Sequence, residues 1–349
     1  VEISYDNVLP AAGFDIVHLT NLTSPDATLL QAQSVREFPG PVVLMPIFID
    51  HADETVWGMK AELAVYSHAA DEGDLQEKLG LIETRRLSIE EVQPPPARME
   101  LGANYTSMQR AILSHVDYAI ANAHSEMHRL YRYLDYGIPY SIAPSCADPS
   151  VYGPHTKDAF VEAYGLNDFV LLAGRFEARK NQLFTFEAYR RLGFPLLCIG
   201  GNNDVHFGML MRAYRPPGVQ YIAHLPESEL AGAFAAARVV AIPSWDEVVS
   251  LTSLNAAISE ASLVLTRNSY EHEYFGDDAY YCDPGSILSI ASAIEHAWST
   301  HTARAQRRTE LASRVRREYN WDRSAELTER AYYRVLANNP RGAARRRQT

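Results

Sequence analysis

Short apolar runs, each about as long as a buried strand, alternate along the whole chain with segments of helical periodicity. In the first part of the chain these runs are Phe14–Leu19, Val42–Phe48, Asp117–Ile120 and Tyr140–Ala143. A second series follows a connection containing prolines and glycines, with runs at Phe169–Ala173, Leu196–Ile199, Val219–Ile222, Val239–Ile242, Leu263–Thr266 and Tyr280–Cys282. Strands of a parallel sheet carry continuous apolar runs because helices cover both faces of the sheet. The alternation therefore predicts an α/β protein built on parallel sheets.

The restart of the alternation predicts two domains, which fits a chain of 349 residues at about 150 residues per domain. We place the first domain at residues 1–150 and the second at residues 151–340, with the helices at the end of the chain in the second. Residues 341–349 carry several arginines and little apolar content, so this basic tail is expected to be disordered.

Composition excludes some classes of protein and is ordinary for a globular enzyme. The chain is 47% hydrophobic and 21% charged, and its net charge of −11 argues against general nucleic-acid binding, which needs a basic face. No apolar run approaches the roughly 18 residues of a membrane span, which leaves only peripheral membrane contact open. The cysteines are sparse, and Cys198 and Cys282 lie in apolar runs, which predicts buried free thiols and a cytoplasmic protein.

The stretch Phe169–Asn181, FVLLAGRFEARKN, places two cations on a strand-to-helix loop. Gly174 ends the apolar run, Arg175 and Lys180 follow, and a segment of helical spacing begins after Asn181. Open α/β sheets bind ligands at the carboxyl ends of their strands. Arg175 can donate two parallel hydrogen bonds to a phosphate, and Lys180 can add a second positive charge. The alternative is an ordinary basic loop at the start of a helix.

A second loop of the same kind lies in the segment Val239–Leu265. An apolar run ends at Pro243, and a short acidic loop containing Glu247 leads into a helix from about Ser250. The unpaired N–H groups at a helix start form an anion site. Together with the Arg175 loop, this helix start predicts a phosphate-binding edge on one sheet. The alternative is that Glu247 is only a first-turn carboxylate, which the helix dipole favours.

These features occur in an order and spacing that resemble the retaining glycosyltransferases of family 4, which have the GT-B architecture of two Rossmann-like domains facing across a cleft. The segments that carry the resemblance are Asp15–His18, Pro144–Pro149, Gly174–Asn181, Leu197–Gly201, Ala237–Glu247 and Tyr319–Asp322. The resemblance implies a hexosyltransferase that moves a sugar from a UDP- or GDP-linked donor with retention of anomeric configuration. It leaves open whether the acceptor is a glycan, a lipid-linked molecule or a small molecule.

The resemblance also implies roles for residues of the second domain. Arg175 and Lys180 would bind the donor diphosphate and Glu247 would contact the donor sugar, so these three are the predicted catalytic residues. The backbone N–H groups of Leu251 and Thr252 would hold the distal phosphate. No cofactor is implied, because the nucleotide diphosphate sugar is a substrate. The chain has no Asp-x-Asp, so a metal-bridged diphosphate is not indicated, and the two cations would take the metal's part.

The chain departs from the family pattern at several positions of this site. The second Glu of the family's Glu-x7-Glu motif, which would hold the ribose hydroxyls, falls on Asn255, which forms hydrogen bonds but brings no charge. Ser250 and Glu260 each replace a glycine. His224 and Leu225 match the loop near the nucleotide base only loosely, and a surface histidine is the alternative for His224.

The first domain departs further from the family. Family members open with a strand and a glycine-rich loop, and no such segment precedes Phe14–Leu19, so we expect this domain to be incomplete at its start. The family histidine that faces the donor sugar falls near Ile47, and Asp50 and His51 are either its substitutes or loop residues. Two alternatives to a transferase stay open: a nucleotide-sugar-binding or scaffold protein without turnover, and an epimerase of the same architecture.

Overall fold

The computed structural model of the protein describes residues 1–49, 53–86, 104–202 and 204–338. Its strands are β1 (Val17–Thr20), β2 (Val42–Met45), β3 (Tyr118–Ala121), β4 (Tyr140–Ile142), β5 (Val170–Ala173), β6 (Leu196–Ile199), β7 (Gln220–Ile222), β8 (Val239–Ile242), β9 (Ser262–Thr266) and β10 (Tyr280–Cys282). Its α-helices are α1 (Pro25–Ser34), α2 (Asp53–His68), α3 (Glu72–Glu83), α4 (Tyr105–Leu113), α5 (His124–Leu134), α6 (Lys157–Tyr164), α7 (Gln182–Arg190), α8 (Val205–Tyr214), α9 (Glu227–Ala236), α10 (Leu251–Ile258), α11 (His272–Phe275), α12 (Ile287–Thr300), α13 (Ala305–Glu318) and α14 (Trp321–Ala337).

The described residues form two compact units, each built on one sheet. The first unit contains residues 1–49, 104–145 and 321–338, and the second contains residues 53–86, 146–202 and 204–320. The strand order is β1-β2-β3-β4 in the first sheet and β10-β9-β8-β5-β6-β7 in the second, and every one of these strand pairs is parallel. The α/β class that the alternation predicts is therefore confirmed.

The first sheet buries apolar side chains on both of its faces, since successive side chains of a strand point to opposite sides. Val17 and Leu19 of β1 and Leu44 of β2 share one cluster with residues of α1, α4 and α5. Ile120 of β3 belongs to a different cluster, which contains Val335 of α14. The helix that closes the described chain thus completes the first unit.

The order of strands in the second sheet reverses at β5. From β5 the chain moves outward to β6 and β7, and it then returns to the other side of β5 and moves outward through β8, β9 and β10. Val170 of β5 lies opposite Leu196 of β6 on one side and Val239 of β8 on the other. Open α/β sheets bind their ligands at such a switch point, outside the carboxyl ends of the strands. By this rule the ligand site belongs beside the ends of β5 and β8.

Two segments do not belong to the unit in which the predicted division at residue 150 places them. Helices α2 and α3 belong to the second unit, and α14 belongs to the first. Leu63 of α2 and Leu79 of α3 are buried in the core of the second unit. At the end of α3, Glu83 accepts hydrogen bonds from Ser286 Oγ (2.6 Å) and Ile287 N (2.8 Å) at the start of α12. Burial of these helices, rather than their place along the chain, decides which unit contains them.

The sequence from Glu54 to Leu79 has a mostly helical pattern throughout, but the structure divides it into the two helices α2 and α3. The break falls at residues 69–71, where Asp71 caps α3 by accepting a hydrogen bond from Asp74 N (2.9 Å). Residues 87–103 lie outside the described residues, and the basic tail 341–349 lies wholly outside them as well. In the described parts of the chain, no helix has both the length and the apolar character needed to cross a membrane.

Candidate active site

The loops after β5 and β8 lie side by side and are joined by hydrogen bonds. Asn181 ends the β5 loop in the left-handed backbone region, with φ 57°, and its side chain is fully buried. Its Nδ2 donates to Pro243 O (2.8 Å) and to Pro284 O (2.8 Å). The backbone N–H of Trp245 donates to Arg179 O (2.8 Å). The two loops that the sequence singles out therefore meet at the switch point of the sheet.

A compact group of charged side chains surrounds Glu247 where the loops meet. Lys180 Nζ forms an ion pair with Glu247 Oε1, and Arg179 Nη1 lies 3.3 Å from Glu247 Oε2. Ser244 Oγ donates to Glu247 Oε1 (2.9 Å). Burial by itself raises the pKa of this carboxyl group, but the charges of Lys180 and Arg179 outweigh burial and hold the pKa of Glu247 below its usual value. Glu247 is thus a buried, charged carboxylate.

Arg175 belongs to this group through a bridging carboxylate. Its side chain is 57% exposed, and its Nη2 lies 3.2 Å from Glu177 Oε1. The same Glu177 oxygen lies 3.2 Å from Arg179 Nη2. Arg179, which the sequence reasoning missed, therefore stands closer to Glu247 than the predicted Arg175 does. The signal that pointed to it was its position beside Lys180 in the same loop.

The start of α10 adjoins the loop that carries Glu247. Ser250 is the N-cap, and its Oγ accepts a hydrogen bond from Thr252 N (3.1 Å). Leu251 is exposed, whereas Thr252 and Asn255 are half-buried. The helix thus begins where the sequence predicts it, at the carboxyl edge of the sheet.

A second buried carboxyl group, Glu271, contacts the start of α10. Its Oε1 accepts hydrogen bonds from Ser250 N (3.1 Å) and from Ser253 Oγ (2.5 Å). Its Oε2 is buried and has no hydrogen-bond partner among the described residues. Burial, together with the nearby charge of Glu247, raises the pKa of Glu271 to about 7. No local sequence pattern marks this residue, because it reaches the site from the segment after β9.

Two further predicted site residues, His224 and Leu225, lie on a different loop of the second unit. His224 is exposed and Leu225 is buried in the loop after β7. Strand β7 is the edge of the sheet, and β6 separates it from β5. Within the parts of the chain that the structure describes, neither side chain has a hydrogen bond or ion pair to the Glu247 group. Asp50 and His51 lie outside the described residues.

The arrangement is suited to holding a phosphate. Guanidinium and ammonium groups form charge-assisted hydrogen bonds with phosphate oxygens, and the helix start adds backbone N–H donors. Lys180 and Arg179 are both paired with Glu247, and Arg175 is paired with Glu177. A bound anion therefore competes with these carboxylates for the cations.

The two parallel sheets, with the candidate site at a switch point, define an α/β protein with the fold of GT-B glycosyltransferases. A sucrose-phosphate synthase from Thermosynechococcus elongatus has a TM-score of 0.71 and 16% identity, over 94% of this chain and 75% of its own. The HepE protein of Anabaena, solved in complex with UDP-glucose, has a TM-score of 0.62 and 11% identity, over 93% and 79%. A UDP-forming α,α-trehalose-phosphate synthase from Burkholderia vietnamiensis has a TM-score of 0.57 and 12% identity, over 93% and 100%.

Similarity in sequence covers less of the chain. No family model matches it. The O-antigen chain mannosyltransferase B of Escherichia coli is 25% identical over 173 residues, which are 47% of this chain and 45% of that protein. The chain therefore matches less than half the length of this curated relative.

Proposed function

We propose that the protein is a glycosyltransferase that transfers a sugar from a nucleotide diphosphate sugar to an acceptor. The observation that carries the proposal is the grouping of Lys180, Arg179 and the start of α10 around Glu247. The similar proteins support a nucleotide-sugar donor, because one is named a mannosyltransferase and another was solved with UDP-glucose. The donor is a UDP- or GDP-linked hexose in this proposal.

The chemistry of the proposal follows from charge. Breaking the bond between a sugar and a diphosphate builds negative charge on the departing phosphate, and positioned cations and N–H groups stabilise that charge. Lys180 and Arg175 would bind the diphosphate, with Arg179 reinforcing them, and the N–H groups of Leu251 and Thr252 would hold the distal phosphate. The cations would take the part that a metal ion plays elsewhere, so we propose that transfer is independent of metal.

The sugar and the nucleoside are held by other residues in this proposal. Glu247 would contact the donor sugar, and Asn255, on α10, would accept hydrogen bonds from the ribose hydroxyls or donate to them. His224 and Leu225 would lie near the base. The resemblance to family 4 supports transfer with retention of configuration at the anomeric carbon, which the product's anomeric signals in a proton NMR spectrum would test.

The donor site can be tested by calorimetric titration of UDP and GDP. We expect Lys180→Ala and Arg175→Ala to weaken binding about ten- to hundredfold, because each loses a charge-assisted hydrogen bond worth roughly 1.5–3 kcal/mol. Asn255→Glu should strengthen binding through the ribose. Arg191→Ala is the matched control, since Arg191 is an exposed arginine at the end of α7. Equal affinities in wild type and both alanine variants would remove the main support for the proposal.

Turnover separates the enzyme from the alternatives. Incubation with radiolabelled UDP- and GDP-hexoses should give slow hydrolysis or transfer, with the activity unchanged by a chelator. Binding without any turnover would favour the nucleotide-sugar-binding or scaffold protein. An isomerised donor would favour the epimerase.

A further inference from the structure

The second unit holds a cavity of about 200 Å³ that the donor site does not use. It lies at the carboxyl ends of β9 and β10, where Arg267 and Asp283 follow the strands. The cavity is also lined by Arg85, Trp57, Trp245 and Asn268. We call this space the Arg267 cavity. Helix α2 contributes Trp57, α3 contributes Ile82 and the turn after α3 contributes Arg85, so the cavity exists only because these helices are packed within the second unit.

Among the residues that the structure describes, the charged ones that line the Arg267 cavity are two arginines and one aspartate. Arg267 Nη2 lies 2.8 Å from Asp283 Oδ2, and Arg85 Nη2 lies 3.4 Å from the same oxygen. One carboxylate thus serves two guanidinium groups. Arg267 is 54% exposed and forms no other side-chain bond within the described residues. Since a guanidinium has five N–H donors, Arg267 retains donors for an anionic ligand.

Two tryptophans form the aromatic part of the cavity lining. Trp245 is 3% exposed, its indole Nε1 donates to Glu62 Oε2 (2.8 Å), and its ring packs edge-on against Phe184. Trp57 is half-buried beside it. The indole of Trp57 offers apolar area that matches the C–H face of a sugar ring, and the buried ring of Trp245 supports the wall behind it. The volume is below the roughly 300 Å³ of the smallest sites for drug-sized ligands, which suits one monosaccharide.

Hydrogen bonds connect the Arg267 cavity to the donor site. Asn268 Nδ2 donates to Trp245 O (3.1 Å), and the backbone N–H of Glu247 donates to Asn268 O (3.1 Å). The wall of the cavity and the loop that carries Glu247 are therefore one continuous structure. A sugar bound in the cavity would lie next to the loop where the donor sugar is expected.

We propose that the Arg267 cavity binds an acceptor monosaccharide that carries a phosphate or a carboxylate group. Arg267 and Arg85 bind the anionic group, and the indole of Trp57 contacts the sugar ring. The inference rests on the proposed glycosyltransferase function, since it names the class of acceptor for that reaction.

Binding of simple probes tests the cavity directly. A hexose 6-phosphate, a hexuronic acid, a neutral hexose and inorganic phosphate are titrated into wild type, Arg267→Gln, Arg85→Gln and the control Arg191→Ala. We expect at least one of the two anionic sugars to bind wild type and the control. Arg267→Gln and Arg85→Gln should each weaken the affinity for that sugar about tenfold or more. The tighter of the two anionic sugars identifies phosphate or carboxylate as the group recognised.

Three results would overturn the inference. The first is equal binding of the neutral and the anionic hexoses, and the second is equal binding of inorganic phosphate and the hexose phosphate. The third is unchanged affinity in both glutamine variants, whose folding is checked by circular dichroism. UDP titration of these variants and of Lys180→Ala, with the anionic sugars titrated into Lys180→Ala as well, keeps the two proposals apart. UDP binding that depends on Lys180, without anionic-sugar binding, rejects the acceptor cavity alone, whereas sugar binding that depends on Arg267, without UDP binding, rejects the donor site.

Discussion

At the scale of single residues, we expect Glu271 to make anion binding at the start of α10 dependent on pH. Its carboxyl group accepts a hydrogen bond from Ser250 N, at the N-cap of the helix whose N–H groups are expected to hold the distal phosphate. Burial and the charge of Glu247 raise its pKa to about 7, whereas Lys180 acts in the opposite direction. Below pH 7 the group is therefore mostly neutral, and above pH 7 it places a negative charge beside the bound phosphate.

We expect the affinity for UDP to fall as the pH rises from 6 to 8. In Glu271→Gln the side-chain oxygen still accepts the hydrogen bond from Ser250 N, but the side chain no longer titrates. The affinity of the variant for UDP should therefore depend less on pH, and at pH 8 it should exceed that of wild type by up to about tenfold. Calorimetry on both proteins measures the difference, in which the titration of UDP itself cancels. Parallel pH profiles for wild type and variant would contradict this role.

At the scale of elements, the docking of α2 on the second unit depends on a glycine. A Cβ atom at Gly58 would lie 2.1 Å from Trp245 Cζ3, because the helix backbone lies directly against the indole. Gly80 of α3 has no atom within 4 Å of such a Cβ. Substitutions at these two glycines therefore distinguish the effect of close packing from the effect of helix propensity.

Alanine at these two positions should have opposite effects on the free energy of unfolding. Gly58→Ala should lower it by about 1–3 kcal/mol through overpacking. Gly80→Ala should raise it by about 0.5–1 kcal/mol, since alanine favours the helix. Urea unfolding of both variants, followed by tryptophan fluorescence, measures the changes. A stabilised Gly58→Ala would mean that α2 does not need this close approach.

The same helix carries a buried acid that makes stability depend on pH. Glu62 is fully buried, and burial raises its pKa to about 8, although its hydrogen bond with Trp245 acts in the opposite direction. The pKa in the folded state thus lies above the value of about 4.5 that the carboxyl group has in the unfolded chain. The contribution of Glu62 to stability is thus fully present below pH 4.5 and is lost as the pH rises to 8, since the unfolded chain releases its proton first.

Glu62→Gln should remove this dependence while it keeps an acceptor for the indole N–H. We expect the variant to gain stability relative to wild type between pH 5 and pH 8, by at most about 1.4 kcal/mol per pH unit. Urea unfolding at several pH values provides the measurement. Glu162→Gln, an exposed change on α6, is the control and should show no such trend. A constant difference between Glu62→Gln and wild type would show that Glu62 does not titrate in this range.

At the scale of the whole molecule, the three cysteines and three of the four tryptophans lie in the second unit. Cys146, Cys198 and Cys282 are buried and free, and all lie in the second unit. Burial raises the pKa values of Cys198 and Cys282 to about 12. Trp57, Trp245 and Trp298 lie in the same unit, whereas Trp321 of the first unit is exposed.

We therefore expect the native protein to resist a thiol reagent at neutral pH, because reaction needs an accessible thiolate. In urea, the thiols should become reactive over the same concentrations at which tryptophan fluorescence changes, since both belong to the second unit. A thiol that reacts in the native protein at the rate of denatured protein would contradict the burial.

The sequence by itself determined the strands and the edge where the site lies. Continuous apolar runs such as Leu196–Ile199 are a local property, and each run overlaps its strand with ends that differ by at most three residues. The order of elements makes the sheet parallel, and a parallel sheet brings the Lys180 loop and the Glu247 loop to one edge.

Only the tertiary structure decided which distant groups complete the site. Arg179 and Glu271 join the Glu247 group, and α2 and α3 join the second unit rather than the first, through contacts between residues far apart in the chain. Periodicity shows that a helix has an apolar face, but it does not show which surface that face covers. Steric fit decides that, as where Gly58 lets α2 lie against Trp245, and such a fit exists only once both surfaces have formed.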